Sequence, residues 1–107
     1  MQRSLKSRQR LVEILSFKVT GTGTAAINTG ATEATLSDDG VGIWTLTFVK
    51  PLTRSISAIA TSGTAALYCA VTALSSTAVT VRAYDAAGAA TDAIFYLNVI
   101  ISGASEQ

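Results

Sequence analysis

Past residue 40 the chain alternates between apolar and polar positions. In residues 43–50, IWTLTFVK, Trp44, Leu46 and Phe48 fall on one side and Thr45 and Thr47 on the other. That period of two predicts a half-buried strand with the aromatic and leucine side chains in the core. Asp38-Asp39-Gly40 ahead of it, with Gly42 close behind, reads as a turn. Pro51 lacks an amide hydrogen, so pairing ends there or moves to an edge. Residues 55–61 (SISAIAT) read as a second strand and residues 65–72 (AALYCAVT) as a third, with Leu67, Cys69 and Val71 on one face and Tyr68 on the other. In residues 77–84 (TAVTVRAY), Val79 and Val81 point inward and Thr80 and Arg82 outward. Asp85-Ala86-Ala87-Gly88 is a loop of the kind that closes a hairpin. Residues 93–101 (AIFYLNVII) form the most apolar run, with Phe95, Leu97, Val99 and Ile101 in phase. A strand this apolar is expected at the centre of a sheet.

Residues 15–20 and 33–36 are weaker strand candidates, and residues 21–30 read as a loop or as a strand with a loop. The result is about seven to eight short strands at intervals of roughly 8–12 residues, the pattern of an antiparallel β-sandwich or a barrel. Residues 1–14 form a basic N-terminal arm and residues 15–107 the β-sandwich domain. The arm fits two geometries. Leu5, Arg8, Val12 and Leu15 would align on a helix, and Leu11, Glu13, Leu15 and Phe17 on a strand. A short helix or extended segment to about Arg10, followed by a strand, is the expectation.

Charge changes this picture. Only 14% of the 107 residues are charged, against about a quarter in ordinary globular domains. The surface is therefore built from Thr, Ser, Gly and Ala, and a surface so short of charge is expected to be covered by copies of the chain or by a partner. Residues 1–18 hold Arg3, Lys6, Arg8, Arg10 and Lys18 against Glu13, a net +4; residues 19–107 hold Lys50, Arg54 and Arg82 against six acidic residues, a net −3. Arm and body are complementary in sign, so the arm of one copy suits the body of another or an acidic neighbour. The body has no basic stripe and no interleaving of aromatic and basic residues, so nucleic acid is not the expected partner.

Candidate chemistry is sparse. There is no histidine, the commonest general base and transition-metal ligand, and a single cysteine, Cys69, which leaves no internal disulfide and no expected zinc site. Asp38-Asp39 is explained by a turn without calcium. Gly21-Thr22-Gly23-Thr24 lacks the lysine and helix of a phosphate loop. A Ser or Thr nucleophile would have to rely on Lys or a carboxylate for activation. No run reaches the roughly 18 apolar residues of a membrane helix, and no secretory leader is expected. The expectation is a non-enzymatic chain with no cofactor, no metal and no membrane partner, made in a reducing cytoplasm. Tyr68, Tyr84 and Tyr96 lie on the polar faces of their strands and are candidate subunit contacts or cross-strand pairs. A sugar-binding platform is their alternative use.

Two stretches, taken together, resemble a known class. The first is Gly42-Ile43-Trp44-Thr45-Leu46-Thr47-Phe48 with Lys50-Pro51-Leu52. The second is the strand ending in Tyr84-Asp85-Ala86-Ala87-Gly88, followed by Asp92-Ala93-Ile94-Phe95 and a last apolar strand. They look like small β-sandwich modules in virion proteins of tailed bacteriophages, namely head decoration (cement) proteins and fibre domains. The likeness covers residues 40–101 and consists of strand and turn chemistry without site residues. It implies a virion structural protein on the capsid surface, commonly a homotrimer, whose partners are the major capsid protein and itself. The arm would then be a tether. Arg3, Lys6, Arg8 and Arg10 would face carboxylates of a neighbouring shell or decoration subunit, while Leu5, Leu11 and Val12, with Leu15, bury apolar area at about 25 cal/mol per Å². Exposed ion pairs contribute little, so the apolar anchors carry affinity and the charges set register. The length of the chain and the absence of heptads or repeats favour a free-standing decoration subunit over a fibre tip. A head- or tail-fibre receptor- or carbohydrate-binding module is the alternative.

Overall fold

A computed structural model describes residues 10–52, 55–64 and 67–104. They form eight strands and, among the described residues, no helix. The strands are β1 (Arg10–Thr20), β2 (Ala26–Thr29), β3 (Ala34–Gly40), β4 (Ile43–Phe48), β5 (Ser55–Ser62), β6 (Tyr68–Leu74), β7 (Ala78–Tyr84) and β8 (Ile94–Ala104). Two antiparallel four-stranded sheets result, ordered β2-β1-β8-β5 and β3-β4-β7-β6. β5 packs on β6 at one side and β2 approaches β3 at the other, so the sheets stack as a β-sandwich.

Alternation decides which side chains enter. From β8 come Phe95, Leu97 and Val99; from β1, Phe17 and Val19; from β4, Trp44 and Leu46; and from β7, Val79, Val81 and Ala83. All are buried. β8 is central, between β1 and β5, as its unbroken apolar run predicts. Trp44 of one sheet meets Phe95 of the other with ring centroids 5.0 Å apart and planes tilted by 44°, a favourable aromatic geometry. Gly21 lets β1 turn over this pair. A Cβ there would strike the Trp44 ring and stand 2.5 Å from the Ala93 carbonyl oxygen.

Some boundaries differ from the sequence pattern. β1 begins at Arg10, where the sequence pattern expects a strand to follow the arm, so residues 10–14, assigned to the arm in the division at residue 14, pair with β8 as part of the sandwich. The chain does not turn at Asp38-Asp39. Both belong to β3, which carries a bulge there, and the turn is Val41-Gly42. The loop after Tyr84 does not pair β7 with β8. It closes a small local reversal in which Asp85 N–H donates to Ala89 O and Tyr84 bridges Ala90. The chain then crosses to the other sheet, because residues 94–101 carry the apolar set that β1 and β5 flank.

Asp39 is held at the surface of this bulge by Ser37 Oγ and Thr45 Oγ1, both donating to its carboxylate. Those hydrogen bonds favour the ionised form and hold its pKa below the ordinary carboxylate value. A lowered folded-state pKa means that the stabilisation is complete above the unfolded pKa, about 4, and fades as pH falls through the folded value. Asp39→Asn is therefore expected to lower stability slightly at pH 7 and to flatten the loss of stability below about pH 4. Paired thermal melts from pH 7 to pH 2 measure it, and parallel curves for the two proteins would contradict it.

Candidate functional site

Three surface features stand out. The first is the outer face of the sheet containing β1 and β8. Across β1, β8 and β5 it reads Ile14–Ile100–Ser57, then Ser16–Asn98–Ile59, then Lys18–Tyr96–Thr61. Ile14 is 58% exposed, Ile59 59% and Tyr96 44%. Ile14 and Ile100 are cross-strand partners, and Ile59 sits diagonally from both Ile100 and Tyr96, so these side chains form one apolar diagonal. Ser16 Oγ donates to Asn98 Oδ1 at 2.9 Å. Lys18 is the only charged residue in these three rows, and its Nζ lies 5.9 Å from the Tyr96 ring centroid, a cation–π placement. Two bulky isoleucines exposed in rows with a single charge mark a surface suited to burial.

The second feature is the outer face of the other sheet. Tyr68 pairs across the ladder with Tyr84, and Arg82 with Ala70 and Ile43. Tyr68 is exposed and Tyr84 half-buried. Away from these tyrosines the face is a hydroxyl lattice, with Thr45 aligned between Ser37 and Thr80. The three tyrosines thus separate. Tyr96 lies on one outer face of the sandwich and the Tyr68–Tyr84 pair on the opposite one, so they cannot build a single site. Alternation placed each of them outward. It carried no information on which sheet each strand joins.

The third feature is a cleft of about 320 Å³ at the end of the sandwich where β1 begins. Leu15, Leu52 and Ile101 supply its apolar lining, and Glu13, Glu33 and Lys50 the charges, with Pro51 beside them. Glu13 occupies an inward position of β1, in phase with Leu15 and Phe17, which is tolerable because the sheets part there. Glu33 is fixed by its backbone, its carbonyl accepting from Val49 N–H at 2.9 Å. A carboxylate in the inward phase of a strand was the one sequence signal of this opening.

The arm residues Arg3, Leu5, Lys6 and Arg8 lie outside the described residues, as do the side chains of Arg10, Leu11 and Val12. The backbone of the last three belongs to β1. Cys69 faces inward from β6, and burial pushes its thiol pKa up against a smaller opposing effect of a Ser62 hydrogen bond. Among the described residues no group of three His, Cys, Asp or Glu side chains gathers as a metal site.

These features define the class at the level of fold: a small two-sheet antiparallel β-sandwich whose candidate sites are surfaces. No protein-family model, curated protein or solved structure matches the chain.

Proposed function

We propose that the chain is a non-enzymatic structural protein of a tailed-bacteriophage virion. In this reading it is a decoration (cement) subunit that binds the outer surface of the major capsid shell as an oligomer, a homotrimer by resemblance. The observation that carries the reading is the apolar diagonal Ile14–Ile100–Ile59–Tyr96, in three rows of sheet face whose one charge is Lys18. An exposed apolar patch on an outer sheet face suits a broad protein surface better than a small ligand, which takes a concave pocket. The virion assignment itself rests on the residue pattern of positions 40–101. The N-terminal arm supplies a tether to a neighbouring subunit, and many copies on a symmetric shell turn weak single contacts into firm attachment.

Copy number tests this directly. Chains per particle, counted by mass spectrometry against labelled standards, should reach hundreds. A few tens or fewer would move the protein to a tail or fibre, and none would remove it from the virion. The apolar face is tested separately. Ile14→Lys with Ile59→Lys should change folding stability by no more than roughly 1 kcal/mol, since both side chains are largely in water. The same change should abolish binding to shells or to other copies, read by co-sedimentation and native mass spectrometry. Unchanged association would discard this face as a contact.

One observation favours a second reading, a fibre module that binds a carbohydrate receptor. Tyr68, 63% exposed, stands opposite Tyr84 beside Arg82, and adjacent aromatic rings offer a stacking platform. Glycan binding lost in Tyr68→Ala and retained on removal of the arm would support it over the decoration reading.

A further inference from the structure

β1 has an open edge at the arm end of the sandwich. β8 pairs with it along the whole of Arg10–Thr20, whereas β2 pairs only with Lys18, Val19 and Thr20. Gly30 closes over the next two residues. A Cβ on it would stand 2.7 Å from the Ser16 carbonyl oxygen and 2.7 Å from the Phe17 ring. Among the described residues, no strand lies on the free side of residues 10–15. In an antiparallel ladder every second residue turns its N–H and C=O to a given side. This edge therefore offers about three donor–acceptor pairs to an added strand. Natural proteins cover or blunt such an edge, or use it for recognition.

The cleft lies alongside the same stretch, since Glu13 and Leu15 line it. A strand laid on the open edge would run directly beside Glu13 and Leu15, the β1 side of a cleft whose lining continues inward to Ile101 of β8 and Leu52 and also carries Glu33 and Lys50. The matching segment is in this chain. Residues 1–9, MQRSLKSRQ, carry three positive charges and no negative side chain. In extended form Arg3 and Leu5 share one face, about 7 Å apart, and Lys6 and Arg8 share the other. With Leu5 over the apolar lining, Arg3 falls within reach of the two carboxylates, which outnumber Lys50, and Lys6 and Arg8 turn to the solvent side.

The chain's own arm is poorly placed to do this. It would have to reverse immediately before Arg10 to lie beside its own β1. Residues 1–10 contain no Gly, Pro, Asn or Asp, and of the usual turn residues only Ser4 and Ser7, which favour tight reversals more weakly. Nine extended residues reach roughly 30 Å, enough to cross to a neighbour. We propose that residues 1–9 of one copy add as an edge strand to β1 of a second copy, with Leu5 seated in the cleft and Arg3 between Glu13 and Glu33. The exchange is reciprocal in a dimer and cyclic in a ring, and in both every open edge is filled. It rests on the reading of the arm as a tether and names another copy of this chain as its seat.

The experiment uses purified full-length protein with no shell present. In a Cys69→Ser background, Leu5→Cys and Leu52→Cys are placed on two differently tagged chains, co-expressed and oxidised. A disulfide-linked species containing one chain of each tag is expected, with little linkage when either variant is expressed alone. Placing both cysteines on one chain should give linked species that end at the size of the closed assembly, a dimer for reciprocal exchange and the full ring for cyclic exchange. Linkage only within single chains would overturn the exchange in favour of a folded-back arm, and no linkage in either format would overturn the docking itself. A second measurement does not depend on cysteines. Glu13→Lys with Glu33→Lys should weaken self-association, and Arg3→Glu added to that variant should restore it. Native mass spectra unchanged by the charge reversal would also reject the proposal. Failure here leaves the capsid assignment to its own copy count, and a failed copy count leaves the exchange intact.

Discussion

Trp44→Ala is expected to be the most destabilising single truncation in the core, costing about 3–5 kcal/mol. Trp44 is fully buried and makes the ring contact that joins the two sheets. A domain of this size has about 5–15 kcal/mol of stability, so the variant should stay folded in water with a sharply lowered guanidinium midpoint. Trp44→Phe should behave differently. The indole Nε1–H is buried and, among the described residues, has no hydrogen-bond partner. An unpaired buried donor costs roughly 1–3 kcal/mol, and phenylalanine removes that donor along with part of the ring. The lost volume and the relieved donor then offset each other, so Trp44→Phe should cost under about 2 kcal/mol. Guanidinium midpoints followed by far-UV circular dichroism measure both variants, since Trp44 is the only tryptophan and its fluorescence leaves with it. Equal damage from Phe and Ala would mean that the indole N–H is in fact satisfied, or that ring shape outweighs its desolvation.

The places where the sequence pattern succeeded and failed follow from what alternation can encode. A period of two states which side chains share a face, so the inward sets of β4, β7 and β8 and the outward tyrosines were legible. It does not state which strands are neighbours. Tyr68 and Tyr96 therefore looked equivalent until strand order put them on opposite faces. β2, four residues long, is too short for a period to register. Asp38-Asp39 looked like a turn because aspartate usually marks one, but a bulge can hold the same residues inside a strand. The loop after Tyr84 has hairpin chemistry and makes a small hairpin, yet the next strand goes to the other sheet. Hydrophobic demand at Phe95, Leu97 and Val99 outweighed the local pairing. The cleft was nearly invisible, being made by strand ends and residues 50–52. Only Glu13, a charge in an apolar phase, hinted at it.

Gly42→Ala should be strongly damaging for a conservative glycine substitution at a turn. Gly42 sits at φ +70°, in the left-handed region that costs an alanine about 1 kcal/mol. It is also enclosed by backbone. An added Cβ would stand 2.8 Å from both the Ala83 carbonyl oxygen and the Thr91 nitrogen. Backbone atoms cannot rotate away as a side chain can, so the overpacking adds about 1–3 kcal/mol. Two hydrogen bonds depend on the same position. Gly42 N–H donates to Asp92 Oδ1 at 2.9 Å, and Ala83 N–H donates to the Gly42 carbonyl at 2.9 Å. The second ties the β3–β4 turn to β7 and the first ties it to the segment that carries the chain from β7 to β8. Gly23→Ala is the matched control, because Gly23 has φ +65° with nothing within 4 Å of an added Cβ. It should cost only the conformational term, about 1 kcal/mol, against about 3 kcal/mol or more for Gly42→Ala. Guanidinium unfolding of both variants yields the difference, and equal costs would mean that the crossover yields freely around Gly42. Turn Val41-Gly42 lies at the opposite end of β4 from Lys50 and the cleft. At temperatures where the Gly42 variant remains folded, the open edge of β1 and the apolar diagonal should still associate. Stability and assembly are then separable in this sandwich, one set by the crossover end and the other by the arm end.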